Sequence, residues 1–329
     1  MMTNRPAGRR SRAGQLVLWL AGVLLLIGPD SGAQSLTYRR GQNVGPAYEG
    51  WTQNPDGSFS LLFGYMNRNW EEEIEVPVGP DNTLEPGGPD QGQPTHFYPR
   101  RNRFMFKIQV PKDFGNKEVV WTLTTHGKTE KAYGNLRTDY FLDNTTIGVE
   151  TGGFGGGGTT PETRKNLAPT LRVEGAKRRT VTVGQPLTLV AYAADDGIPA
   201  RKPAAALSAG GGGADESRNR TVNPAPVSRW YRPANSVVPY SGTGLRLSWF
   251  VYRASGRVTF SPEQVKVWED TRIGMNSPWS LSWMTPEVPP DGKWVAQAVF
   301  DEPGTYVLRA RAHDGALGTD EDVSVTVTP

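Results

Sequence analysis

The chain has no cysteine among its 329 residues, so disulfides, thiolate metal sites, cysteine nucleophiles and lipid attachment through an N-terminal cysteine are all excluded. Histidine is nearly as scarce. The three present, His96, His126 and His313, have no metal-ligand spacing, and no G-x-S-x-G nucleophile elbow or glycine-rich phosphate loop occurs. Excess charge is also lacking: 36 Lys and Arg face 33 Asp and Glu, a formal net charge of +3. Four arginines and one aspartate of that balance lie in residues 1–33, so the rest is formally neutral. A chain without surplus cations is a poor partner for a phosphate backbone, and nucleic acid is not expected.

Long hydrophobic runs are missing as well. The one apolar run, residues 16–27, is shorter than the ~20 residues of a membrane span. Arg5, Arg9, Arg10 and Arg12 precede it, Gly28-Pro29 breaks it, and Ser31-Gly32-Ala33 places small residues where a signal peptidase reads. Residues 1–33 are therefore expected to be a cleaved signal peptide. The product would start at Gln34, be exported to the periplasm or beyond, and keep no stable membrane span. The Arg9-Arg10 pair lacks the residues that follow a twin-arginine signal, which favours the general secretory route.

What the sequence does contain is 39 glycines and 27 prolines set between short alternating runs, the mark of an all-β chain. Strands are predicted at 48–53 and 58–67, flanking the turn Asn54-Pro55-Asp56-Gly57, and at 71–78, 103–110, 119–125 and 128–133. In the 103–110 run, Phe104, Phe106, Ile108 and Val110 alternate with Arg103, Met105, Lys107 and Gln109. No segment of this region shows a helical period. It is predicted to be an N-terminal β-sandwich over 34–150, ended by a flexible Gly/Thr/Pro linker at 151–167. A second sandwich follows over 168–329, with a low-complexity, disordered insertion at 197–244. Its last two strands are the clearest: Tyr306, Leu308, Ala310 and Ala312 alternate with Val307, Arg309, Arg311 and His313, as in a half-buried strand, and Val323, Val325 and Val327 alternate with polar residues.

These motifs resemble an immunoglobulin-like or PKD-like β-sandwich. Pro303-Gly304-Thr305-Tyr306 is similar to that fold's tyrosine corner, and Gly184-Gln185-Pro186-Leu187-Thr188-Leu189 and Leu247-Ser248-Trp249-Phe250-Val251 resemble its second and third strands, the latter with the buried Trp. Leu189 and Leu308 stand at the two cysteine positions of antibody domains. That departure favours cysteine-free bacterial branches of the fold. The Gly/Pro-rich stretch 76–104 and the Trp121-Thr122-Leu123-Thr124 strand resemble an uncharacterised exported bacterial family, which implies export and no activity.

Three groups of residues are candidates for chemistry. Asp195, Asp196 and Asp314 end two strands that finish at one pole of such a sandwich, where carboxylates could hold calcium, although Asp-Gly is also a common turn sequence. Trp279 and Trp283 lie in a Pro-flanked connection, where they could stack on sugar rings or fold back as a cap. Arg100, Arg101 and Arg103 beside Phe97 and Tyr98 could receive an anionic or glycan ligand, or be ordinary loop charges paired to Glu71, Glu72 and Glu73. Trp249 and Trp294 are assigned to the core. The expected function is a non-catalytic, exported structural, adhesion or envelope-associated binding protein whose partner is an envelope or extracellular protein or a polysaccharide. A carbohydrate-binding accessory module and a secreted glycoside hydrolase, which needs two acids about 5–9.5 Å apart, are the alternatives.

Overall fold

The computed structural model describes residues 39–154, 159–201, 242–268 and 285–329. The expected signal peptide, most of the 197–244 insertion, and Trp279 and Trp283 lie outside them. The described chain is almost entirely β. Its first strands are β1 (Val44–Gln53), β2 (Phe59–Asn67), β3 (Ile74–Glu75), β4 (Asn82–Glu85), β5 (His96–Phe97), β6 (Arg100–Val110), β7 (Val119–Thr125) and β8 (Lys128–Gly134). One sheet runs β1-β2-β6, a second β4-β7-β8, and β3 pairs with β5. The two three-stranded sheets enclose an aromatic core: Phe63 stacks on Phe106 at 5.3 Å, and Phe106 meets Trp121 edge-on at 4.9 Å.

The 103–110 alternation holds only from Phe106 onward. The β2–β6 register shifts between Phe63 and Tyr65, and Phe104, opposite the break, has φ 51. This bulge leaves Phe104 half-buried, and Met105 is buried against Arg309 and Arg311 of the later strands. The Gly/Pro-rich stretch is held by side-chain amides where ladder bonds are missing. Asn82 Nδ2 donates to the carbonyls of Val76 (3.0 Å) and Pro94 (2.8 Å), and its Oδ1 accepts from Trp121 Nε1 at 2.9 Å. Gln93 Nε2 likewise donates to Asn82 O and Pro89 O. Buried backbone carbonyls are thereby paired without a sheet.

A short helix, α1 (Asn144–Glu150), contradicts the all-strand expectation for this region. Asp143 caps it, its Oδ1 accepting from Thr146 N at 2.7 Å. At this length, with Thr145, Thr146, Ile147 and Val149 β-branched, no helical period can show. The segment expected as a flexible linker begins with a packed turn. Thr151, Gly152 and Gly153 are buried, and Thr151 Oγ1 donates to Ala316 O at 2.8 Å.

Strands β9 (Thr170–Val173), β10 (Arg178–Thr182), β11 (Leu187–Ala194), β12 (Arg246–Arg253), β13 (Val258–Ser261), β14 (Lys293–Phe300), β15 (Gly304–His313) and β16 (Gly318–Thr328) form the second sandwich. Its sheets run β10-β16-β15-β12 and β13-β14-β11-β9. β10 pairs with β16 in parallel, and the other pairs are antiparallel. Leu189 and Leu308 are fully buried and Trp249 lies between the sheets in the same cluster. Tyr306 Oη donates to Glu302 O at 2.9 Å, closing the tyrosine corner. This is an immunoglobulin-like β-sandwich.

Its β12-β15-β16 face is not open to water as a half-buried strand would be. Leu247, Trp249 and Val251 of β12 enter the second core, whereas Phe250 and Tyr252, on the opposite face, belong to the first. Tyr98 Oη accepts from Val251 N at 2.9 Å, Thr95 N donates to Tyr252 O at 3.2 Å, and Tyr252 Oη donates to Gly92 O at 2.5 Å. Arg253 grips Asp90 with two bonds of 2.9 and 2.7 Å, which holds the Asp90 carboxyl down at about 2. Arg309 of β15 lies 3.5 Å over the Tyr252 ring, donates to Met105 O at 2.5 Å, and is forked by Asp322 at 2.6 and 2.8 Å. The Arg309/Arg311 row predicted to face solvent therefore lies beneath the first sandwich.

Arg309 is buried although its partner Asp322 is 39% exposed, so losing it costs chiefly the charged hydrogen bond to Met105 O and the contact with the Tyr252 ring. Arg309→Ala should lower stability by about 2 kcal/mol, and urea unfolding should resolve into two transitions where the parent shows one. Tyr252→Phe, which removes the hydroxyl and its bond to Gly92 O but keeps the ring under Arg309, should cost about 1 kcal/mol and keep the single transition.

Candidate functional site

Where the two sandwiches diverge, past the contacts at Met105, a cleft of about 670 Å³ remains. One wall is β6 with α1: Arg103, Phe104, Met105, Phe106 and Lys107, then Asn144, Ile147 and Thr151. The other is formed by β12, β15 and β16 with Lys266 and Val267. Among the described lining residues, six cations (Arg103, Lys107, Arg246, Lys266, Arg309 and Arg311) face two carboxylates, Asp320 and Asp322. The alternation of β15 puts Arg309, Arg311 and His313 on this side, and β16 brings their partners opposite. Arg311 is forked by Asp320, with both bonds at 2.7 Å. Burial pushes the His313 imidazole far below its usual range, and the Arg246 and Arg311 cations push the same way, so it is neutral.

Of the three arginines proposed as an anion-binding group, Arg101 and Arg103 both reach the buried Glu49 and Arg100 does not, and none pairs as expected with Glu71, Glu72 or Glu73. Arg100, in left-handed backbone at φ 59, lies 4.1 Å over the Trp70 ring and donates to Arg68 O. Arg101 donates to Glu49 Oε2 at 2.6 Å, and Arg103 pairs with Glu150 at 2.9 Å. Only Arg103 reaches the cleft. Glu49 was not singled out from the sequence: it occupies the β1 bulge between Tyr48 and Gly50, over Gly64, where a Cβ would collide with its Oε1. Burial raises its pKa, opposed by Arg101 and Arg103. The three glutamates have other partners: Glu71 pairs with Arg39, Glu72 with His126, and Glu73 with His96.

At the pole of the second sandwich, Asp314 is fully buried. Its Oδ1 accepts from Ala316 N (2.5 Å) and Leu317 N (2.7 Å), and its Oδ2 from Asn166 Nδ2 at 3.0 Å. Asp195 caps Gly197 N, and Asp196 accepts from Ile198 N and Leu167 N. The aspartates thus close turns. Asp195 Oδ1 and Asn166 Oδ1 are buried without a partner, two oxygens where calcium takes six to eight, and among the described residues no group of three or more His, Cys, Asp or Glu is placed to hold a metal.

No family model matches the chain, and a search of curated proteins gives no match. Among solved structures it is similar to the N-terminal eight immunoglobulin domains of Down Syndrome Cell Adhesion Molecule (9% identity, TM-score 0.22), covering 87% of this chain and 27% of that one. Domains 4 and 5 of the S-layer protein SbsC match at 9% identity and TM-score 0.22 over 88% of this chain and 98% of that one. Immunoglobulin domains 1–4 of Sidekick-1 match at 11% identity and TM-score 0.20, over 87% and 48%. Likeness at this level carries nothing about ligands. The fold stands on the strand order, the register and the tyrosine corner.

Burial raises the Asp314 carboxyl to about 6, against the lowering pull of its three N–H donors, and Asp195 adds to the rise. A carboxyl with a folded pKa above its unfolded one binds protons more tightly when folded, so its contribution is favourable at low pH and is lost as pH rises from about 4 to about 6. Asp314→Asn, whose amide can donate to the unpartnered Asn166 Oδ1, should abolish that slope. It should also be the more stable protein at pH 7, by an amount of the order of 2 kcal/mol, as read by urea midpoints across the pH range.

Proposed function

We propose that the chain is a non-catalytic binding protein of the cell envelope or extracellular space, in which two β-sandwiches act as one unit around the cleft between them. The observation that carries this is the shared use of β12. Because Phe250 and Tyr252 complete the first core while Leu247, Trp249 and Val251 build the second, the cleft has fixed walls, as a pre-formed site at a domain boundary requires. Its ionisable groups serve structure: Arg309 and Arg311 are forked by carboxylates, and His313 is held neutral. Export is supported by the arginine-led apolar run 16–27 with small residues at Ser31 and Ala33; among the described residues no helix is long and apolar enough to cross a membrane.

The hydrolase alternative would need two acids converging on a substrate. Glu49 and Glu150 share Arg103, but the Glu49 side chain is only 5% exposed, and the two cleft carboxylates, Asp320 and Asp322, are each forked by an arginine. A turnover assay on neutral and acidic glycans and on peptides should be blank, and the exported fraction should give an intact mass beginning at Gln34. Reproducible hydrolysis abolished by Glu49→Gln or by Asp320→Asn would overturn the reading.

A further inference from the structure

We propose that the cleft between the sandwiches binds a segment of an acidic polysaccharide, a uronate oligosaccharide whose sugar rings stack on Phe104 and whose carboxylates meet Arg103 and Lys107. This deepens the binding-protein reading and rests on it. The first support is Phe104 itself. Left-handed backbone at a bulky residue is rare and costs stability, and such strain gathers at ligand sites. Here the bulge buries the neighbours Met105 and Phe106 and sets Phe104, half-buried, in the cleft wall. Bulges commonly re-aim a side chain beside a site.

Charge supplies the second support. Lys107 is exposed and has no ion-pair partner among the described residues, and Arg103, on the same strand, lines the cleft while paired to Glu150. Across from them Asp320 and Asp322 are held by Arg311 and Arg309 with lone pairs left over, and Asn144 adds an amide. Cations on one wall and acceptors on the other suit a ligand that carries both carboxylates and hydroxyls. A neutral glycan would leave Lys107 unanswered, and an acidic peptide would bring carboxylates to Asp320 and Asp322 with few hydroxyls to donate. The cleft's 670 Å³ falls within the roughly 300–1,000 Å³ of small-ligand sites.

The test is calorimetric titration of the full mature chain with oligogalacturonate or oligoalginate, with the same oligosaccharide after carboxyl reduction and poly-glutamate as comparisons. Binding of the uronates alone, weakening as salt rises, is expected. Lys107→Glu should reduce affinity about tenfold. Phe104→Gly, which removes the ring while relieving the backbone, should reduce it by about as much with no fall in melting temperature. Equal binding of the reduced oligosaccharide, equal binding of poly-glutamate, no binding of the uronates, or full affinity in either folded variant would each overturn the proposal. A blank titration together with a blank turnover assay and an exported product would remove the ligand and leave the non-catalytic reading standing.

Discussion

A strand with no solvent-facing side must be roofed on both, and β12 is such a strand. Its sequence, Arg246-Leu247-Ser248-Trp249-Phe250-Val251-Tyr252-Arg253, is large and apolar on both faces. The immunoglobulin-like sandwich can cover only one of them. Exposure of Phe250 and Tyr252 would cost about 1.5–3 kcal/mol for each large side chain, so the first sandwich is drawn onto that face. The remaining contacts follow from this docking. The Gly/Pro-rich stretch delivers Asp90, Gly92, Gln93, Thr95 and Tyr98 to β12, and Arg309 spans the gap to Met105 O.

This arrangement gives the polar residues of β15 and β16 their meaning. Arg309, Arg311, Asp320 and Asp322 look like the wet face of a hairpin, yet they form a ladder of forked ion pairs under the first sandwich. A guanidinium fork suits such a place because it answers a carboxylate, a backbone carbonyl and an aromatic ring from one planar group. Beyond the docked area the same ladder continues into the cleft, so the residues that join the sandwiches also shape the candidate binding surface.

Much of the second sandwich was legible in the sequence because its strands alternate cleanly and its special positions are local. Tyr306 two residues after Gly304, the three valines of β16, and Leu189 and Leu308 in place of a disulfide all point to one fold. The docking was written in the same letters: alternation on β15 assigned Arg309 outward, which is correct for the sandwich and silent about what lies outside it. The one cue was β12, where Phe250 and Tyr252 make both faces apolar, the mark of a doubly buried strand. The Phe104 bulge was hidden by its neighbours, since a run that alternates through residue 110 conceals a one-residue slip. Arg100, Arg101 and Arg103 are close in sequence, yet only Arg101 and Arg103 share a partner, Glu49, while Arg100, in left-handed backbone, turns onto the Trp70 ring.

The two sandwiches should open only when the whole molecule unfolds. Amide hydrogen exchange reads this directly at Val251, whose N–H donates to Tyr98 Oη, and at Thr95, whose N–H donates to Tyr252 O. Both should exchange with the same opening free energy as Leu308 in the centre of β15, the value for global unfolding. Rapid exchange at Val251 and Thr95 while Leu308 stays protected would contradict it, and would mean that the sandwiches separate as independent bodies.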